Sequence, residues 1–424
     1  MKVAGVARLL SSASIALGLE LQKPLDSSSS SSSSNNAPSY RSELVSLHKS
    51  LVEIASVTYS ENAVGNFLVD YLTERDFVAE LEFLPPANTT STSDSEPGDG
   101  KPRFNVLAWP GPKRHPSPKV LVSSHIDTVP PYIPYSRSDE EPNSDTVIAG
   151  RGSVDAKASV AAQIIAVFEL LDAKRIDPGD VMLLFVVGEE STGDGMVYFS
   201  DTLASLDPPP NFKAAVFGEP TEGKLACGHK GFFGCTITAH GKAGHSGYPW
   251  LGKSATEVLM RGVIKVLDTD LGSSELFGNT TVNVGTIEGG VALNVIPETA
   301  VARIAGRVAI GPEEDGGRIV VERVQEVLRS VDEDAFEVEC LNGYGTVECA
   351  CDVPGFETIT VNYGTDVPKL KGNHTRYLYG PGSILVAHGK DEAIKLKDLE
   401  TGVEDFKKII LHVLKDEAAE TGEL

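Results

Sequence analysis

The chain has 424 residues, enough for two domains, with 41% hydrophobic and 23% charged residues, the balance of an ordinary globular protein. Its formal net charge of −23 argues against nucleic acid and anionic membrane surfaces as partners. Five cysteines (Cys227, Cys235, Cys340, Cys349 and Cys351) are too few for a disulfide scaffold, and their odd number leaves one thiol free or paired outside the chain.

The first residues, MKVAGVARLLSSASIALG, carry Lys2 and Arg8 before a short apolar stretch, which reads as a secretory signal peptide over 1–18. A serine run follows and reads as a linker, 19–40. No later stretch is long and apolar enough to span a bilayer, so the expected mature protein is secreted and not membrane-bound. Sequons at Asn88, Asn279 and Asn373 fit export as glycosylation sites. Cys227 and Cys235 are the expected disulfide pair.

Two amphipathic helices come next, SELVSLHKSLVEIAS, with Leu44, Leu47, Leu51 and Ile54 on one stripe, and NAVGNFLVDYLTERDF. His48, beside the first stripe, reads as structural. From residue 118, apolar strands alternate with helices: KVLVSS, the helix KASVAAQIIAVFELLDAKRI, then DVMLLFVV, KAAVFG and, near the C-terminus, SILVA. This pattern predicts an α/β domain with a mostly parallel mixed sheet flanked by helices. Residues 229–345 change character. Alternating strands and two amphipathic helices occur there in the order βαββαβ, which predicts an inserted ferredoxin-like lid or dimerisation domain. The larger domain is therefore divided into 41–228 and 346–424.

The chemistry sits at the strand ends. KVLVSS runs into His125 and Asp127, VMLLFVV into Glu189 and Glu190, AAVFG into Glu219, and SILVA into His388; Asp155 precedes the long helix. Each group alone has an ordinary structural explanation. Together, several carboxylates on one sheet edge would repel one another without a cation between them. Oxygen and imidazole donors without thiolate suit zinc, manganese or cobalt. The number of donors exceeds what one tetrahedral ion needs and suits two ions sharing a carboxylate and a water. Asp127, two residues beyond His125, can accept the second ring N–H of that histidine. In the tandem Glu189-Glu190, one side chain can bind metal while the other faces the water as general base.

The stretches SSHIDTVP, GRGSVDAKAS, GEES, FGEPT, HGKAGHSGYP, LNVIPE and YGPGSILVAHG, in this order, resemble the M20 family of metallopeptidases. That resemblance implies two Zn²⁺ per subunit (or Co²⁺ or Mn²⁺), held by His125, Asp155, Glu190, Glu219 and His388 with Asp155 bridging. It implies that Asp127 orients His125 and that Glu189 is the proton-transferring base. Substrate contacts would be His245, reaching the partner subunit's site in a homodimer built through the lid, with Asn294 as its helper and Arg307 on the substrate carboxylate. DAKAS and YGTDVP depart from the commoner family pattern, at Ala156, Ala158 and the residue before Gly364. The implied reaction is hydrolysis of an amide next to a free C-terminal carboxylate, as in a carboxypeptidase. Its small peptide substrate would be replaced by an N-acyl amino acid or dipeptide in an aminoacylase or dipeptidase. A non-catalytic binding protein and a thiol enzyme are the competing classes. No acid or histidine of the constellation is missing, and no cysteine stands beside a suitable histidine.

Overall fold

The structure is a computed structural model and describes residues 37–86, 98–111, 117–205 and 210–420, with side chains to 415. The expected signal peptide, most of the serine-rich linker and Asn88 lie outside the described residues.

Helices α1 (Arg41–Glu53) and α2 (Asn62–Thr73) lead into strands β1 (Phe77–Phe83), β2 (Phe104–Pro110) and β3 (Val120–His125). Then follow β4 (Val147–Ala149), α3 (Lys157–Asp172), β5 (Val181–Val186), α4 (Asp194–Ser205), β6 (Ala214–Gly218) and β7 (Leu225–His229). The inserted segment contains β8 (Gly231–His240), α5 (Ala255–Leu267), β9 (Thr281–Gly289), β10 (Thr299–Val308), α6 (Gly316–Val331) and β11 (Phe336–Tyr344). The chain ends with β12 (Thr358–Val361), β13 (Thr375–Tyr379), β14 (Ala393–Lys395) and α7 (Leu396–Glu420).

The main sheet has nine strands and runs β1-β2-β5-β3-β6-β13-β7, with the pair 347–348 at the edge of β7 and β12 beside it. Its centre is parallel: β3 pairs in parallel with β5 and β6, and β6 with β13. The outer pairs β1–β2, β2–β5 and β13–β7 are antiparallel, so the sheet is mixed. The period-two pleat divides each central strand between two buried layers. Val181, Leu183 and Phe185 join the core under α1, α2, α3 and α7, while Met182, Leu184 and Val186 join the layer with Met196, Phe199 and Leu203 of α4. Burial on both faces explains why these strands read as continuous apolar runs.

The lid sheet runs β9-β10-β8-β11, wholly antiparallel. Strand β8 alternates: Phe233, Cys235, Ile237 and Ala239 pack under Leu259 and Val263 of α5 and Val320, Val324 and Leu328 of α6. Ser254 caps α5, its Oγ accepting from Glu257 N at 3.4 Å.

Two expectations are corrected. SILVA is not a strand: residues 384–388 form turns, and the strand in that place is β13, TRYLY. Ser383 Oγ and Ile384 N both bind Glu222 Oε1, at 2.8 and 3.1 Å, which bends the run out of the sheet and leaves Leu385 86% exposed. The disulfides also differ. Cys227 pairs with Cys351 and Cys235 with Cys340, leaving Cys349 free. The ladder explains the second pair, since Cys235 of β8 lies directly opposite Cys340 of β11. Cys227 belongs to the other sheet, on β7.

Candidate metal centre

Strands β3, β5 and β6 are parallel neighbours, so their carboxyl ends bring His125, the Glu189-Glu190 turn and Glu219 to one edge. That edge is where open α/β sheets form sites. Gly188, at φ +79°, makes the sharp turn that β5 needs before Glu189; a side chain there would collide with Asp194 and Arg103. Asp155 arrives from the segment before α3. His388 arrives from the turn after β13, where its own φ is +62°.

The result is two overlapping clusters. His125, Asp155 and Glu219 form one; Asp155, Glu190 and His388 form the other, each with donor atoms within 4.8 Å of one another. Asp155 is common to both, and its two oxygens divide between them. Oδ1 lies 3.0 Å from His125 Nε2 and Oδ2 lies 3.2 Å from His388 Nε2. Glu219 Oε2 is 3.7 Å from His125 Nε2, and Glu190 Oε2 is 2.9 Å from His388 Nε2. Asp155 is not a helix cap: Ala156 holds that position, without a side-chain bond.

These residues fit a pair of cations. The donors are carboxylate oxygen and imidazole nitrogen only, and Glu190 Oε1 is buried with no hydrogen-bond partner, an orphan acceptor that a cation would satisfy. The protonation states say the same. Burial, then the Asp155 charge, pushes Glu190 up to about 7. Burial pushes Glu219 up to about 7 as well, His125 opposing and Asp155 adding to the rise. For Asp155 burial works upward, but hydrogen bonds from His125 and His388 hold its carboxyl well below the usual range. Hydrogen bonds to Asp155 and Glu190 raise His388 to about 10. Without a cation, burial of Glu190 and Glu219 and the carboxylates around His388 favour bound protons, which a metal must displace. Affinity for zinc is expected to rise between about pH 6 and about pH 8, with protons released on binding. Calorimetry in two buffers of different ionisation heat checks this; equal affinity at both pH values and no proton release would contradict it.

Asp127 is fully buried, and it serves two neighbours. Its backbone carbonyl lies 3.0 Å from His125 Nδ1, with carboxylate Oδ1 at 3.6 Å. The carboxylate oxygens accept from Glu189 N at 3.1 Å and Glu190 N at 3.2 Å, and Oδ2 also accepts from Thr58 Oγ1 at 2.8 Å. Asp127 thus fixes the ring and the turn that carries both glutamates. Glu189 belongs to neither cluster. Burial, then the Glu219 charge, raises its carboxyl well above the usual range.

Arg307, on β10, lies beside Gly364, where a side chain would come within 3.5 Å of its Nη1 and collide with the Tyr344 hydroxyl. Burial pushes Tyr344 up to about 12, and the charges of Lys369, Glu189 and Arg307 all act on it. Arg307 thus belongs to the surroundings of the site in the same chain. His245 and Asn294 do not join it. His245 is exposed on the lid in a two-residue strand against 295–296, its Nδ1 accepting from Gly247 N at 3.0 Å, and exposed Asn294 precedes that strand. Among the described residues, neither has a hydrogen bond, ion pair or ring contact with the metal cluster. Asn279 and Asn373 are both exposed, as glycosylation would require.

Sequence reasoning passed over three groups. Buried Asp366, in the quoted YGTDVP, pairs with Lys369 Nζ at 3.1 Å, and its charge acts on Glu189 and Glu219. Thr58 gives no sequence signal at all. Arg151 and Glu392 form a buried ion pair, of which only Arg151 lay in a quoted motif.

Comparison with known proteins agrees with this geometry. A family model for the peptidase dimerisation domain matches residues 227–335, the region of the lid sheet. An M20-domain peptidase of Sordaria macrospora is 56% identical over 404 residues, 92% of this chain and 89% of the relative. The chain belongs to the M20 peptidase family. A second relative, named a probable carboxypeptidase, from Arthroderma gypseum, is 45% identical over 87% of this chain and 84% of its own length. The fold extends to a tripeptidase from Staphylococcus aureus, with TM-score 0.69 at 19% identity over 88% of this chain and 99% of that one. This M20 peptidase is therefore a metal-dependent hydrolase of peptides, with the α/β sheet and dimerisation domain of its family.

Proposed function

We propose that this M20 peptidase is a secreted dinuclear zinc carboxypeptidase, removing a residue whose carboxylate is free. One observation carries the reading: Asp155 offers one oxygen to each of two histidine–carboxylate pairs. Two ions there would polarise the amide carbonyl and acidify a water between them. Glu189, outside both ligand sets, would accept the proton of the attacking water and return it to the leaving nitrogen. Its raised affinity for protons, imposed by burial and Glu219, suits this shuttling. Arg307 holds the substrate carboxylate, for which a guanidinium fork is well shaped. The relative's name, probable carboxypeptidase, favours this over the aminoacylase alternative. Two disulfides favour an oxidising compartment, in line with the expected signal peptide.

A homodimer through the lid is part of the proposal. Met260, Ile264 and Leu267 stand exposed on one face of α5, with Ile287 exposed on β9, an apolar surface suited to a second copy. In such a dimer His245 would serve the partner's site. His245→Ala is expected to cut turnover roughly 100- to 1,000-fold without changing metal content. Mixing that variant with Glu189→Gln subunits should restore part of the activity, and no recovery in verified mixed dimers would place His245 outside the site.

The test of the function is product analysis by mass spectrometry. The zinc-loaded protein meets a pool of N-blocked dipeptides, N-acetyl amino acids, and longer peptides with free or amidated C-termini. Release of C-terminal residues only from free carboxylates is expected. Cleavage confined to N-acetyl amino acids would replace the carboxypeptidase with an aminoacylase.

A further inference from the structure

The two clusters come from segments far apart in sequence, and something must hold them at a fixed separation. Asp155 lies on the segment after β4, and His388 on the segment before β14. Strands β4 and β14 pair antiparallel, Ala149 opposite Ala393, so both segments leave the same end of one short ladder. Beyond that ladder, and apart from the contact between the two ligands themselves, a buried ion pair joins them. Arg151 Nη1 donates to Glu392 Oε2 at 2.6 Å, and the two side chains are 3% and 1% exposed.

Each partner grips one ligand-bearing backbone. Glu392 Oε1 accepts from Val154 N at 3.1 Å and Asp155 N at 3.3 Å. Arg151 Nη2 donates to the His388 carbonyl at 3.2 Å, and Nη1 to the Gly389 carbonyl at 3.2 Å. Arg151 Nε also reaches the Pro131 carbonyl at 3.3 Å, on the chain leaving His125 and Asp127. The Glu392 carbonyl accepts from Gly150 N and Ser153 Oγ, closing the segment that carries Asp155. The pair therefore touches the backbone of the shared ligand and of His388, and touches no ligand side chain.

A buried ion pair is a poor device for stability alone, because desolvation offsets most of its attraction, and apolar replacements are often neutral. A pair that fixes two backbones by four hydrogen bonds, two from the guanidinium and two to the carboxylate, is a good device for geometry. We infer that Arg151 and Glu392 are positioning residues that set the separation of Asp155 and His388, and so the fit of the second cation. This rests on the metal reading above.

The experiment titrates metal-free protein with zinc by calorimetry and measures the melting temperature of the same metal-free samples. Wild type, Arg151→Lys and the double apolar variant Arg151→Met with Glu392→Met are compared. Lysine keeps the charge but loses the fork. Both variants are expected to bind one equivalent near normally and the second roughly 10- to 100-fold more weakly, with melting little changed. Turnover should fall in kcat with KM kept, and saturating zinc should restore it in Arg151→Lys. Unchanged affinity in Arg151→Lys would overturn the inference, whether or not the double variant folds. So would a fall in both melting temperature and turnover that excess zinc does not repair. Failure of the wild type to bind two equivalents would instead refute the dinuclear reading, so the two failures are distinguishable.

Discussion

Glu189→Gln is expected to keep its metal and lose almost all turnover, with kcat falling roughly 100- to 10,000-fold, the range of a general base. The substitution preserves shape. The turn is held through backbone, Glu189 N and Glu190 N donating to Asp127, and neither bond needs the Glu189 carboxylate. No ligand is removed, since Glu189 stands in neither cluster. Only the ability to accept and return a proton is lost. Elemental analysis beside steady-state kinetics checks both halves. Normal turnover would remove Glu189 as the base; loss of metal would make it a ligand.

Asp155→Ala has the opposite signature. It is the one residue whose removal takes a donor from both clusters, leaving His125 with Glu219 and Glu190 with His388. Two protein donors each are too few to retain an ion against dialysis, where even structural zinc sites need four ligands and catalytic ones three. Both ions and all activity are expected to go, a larger loss than any change behind the ligands would cause. Burial works against the Asp155 anion, and the hydrogen bonds and charges of the two histidines favour it. Asp155→Asn, which keeps the shape without the charge, should therefore fail as well. Retention of two full equivalents by either variant would end the bridging role.

Much of the site was legible because its residues stand where the strand pattern stops. The runs KVLVSS, VMLLFVV and AAVFG are buried on both faces, so a polar group at their ends needs a reason, and three such ends meet in parallel register. The lid was legible through the alternation of β8 and the one-sided helices α5 and α6. SILVA was misread because a five-residue apolar run carries no mark of its partner. Its bend is imposed by Glu222, about 160 positions earlier. The disulfides were misread for the same reason: sheet register, which no local stretch announces, put Cys235 opposite Cys340. Arg151 and Glu392 stand 241 positions apart, and nothing local in either residue announces the other.

Substrate recognition was less legible than the metal centre. Arg307 is one of ten residues on β10, and only folding brings it beside Gly364 and Tyr344. His245 and Asn294 remain exposed on the lid, away from the metal cluster, in a single chain.

The most direct test of the proposed dinuclear centre is anomalous diffraction at the zinc edge from crystals grown with zinc. Two peaks are expected, about 3.5–4 Å apart, one touching His125 and Glu219, the other Glu190 and His388, with one Asp155 oxygen on each. A single peak, or two peaks that do not share Asp155, would contradict the account.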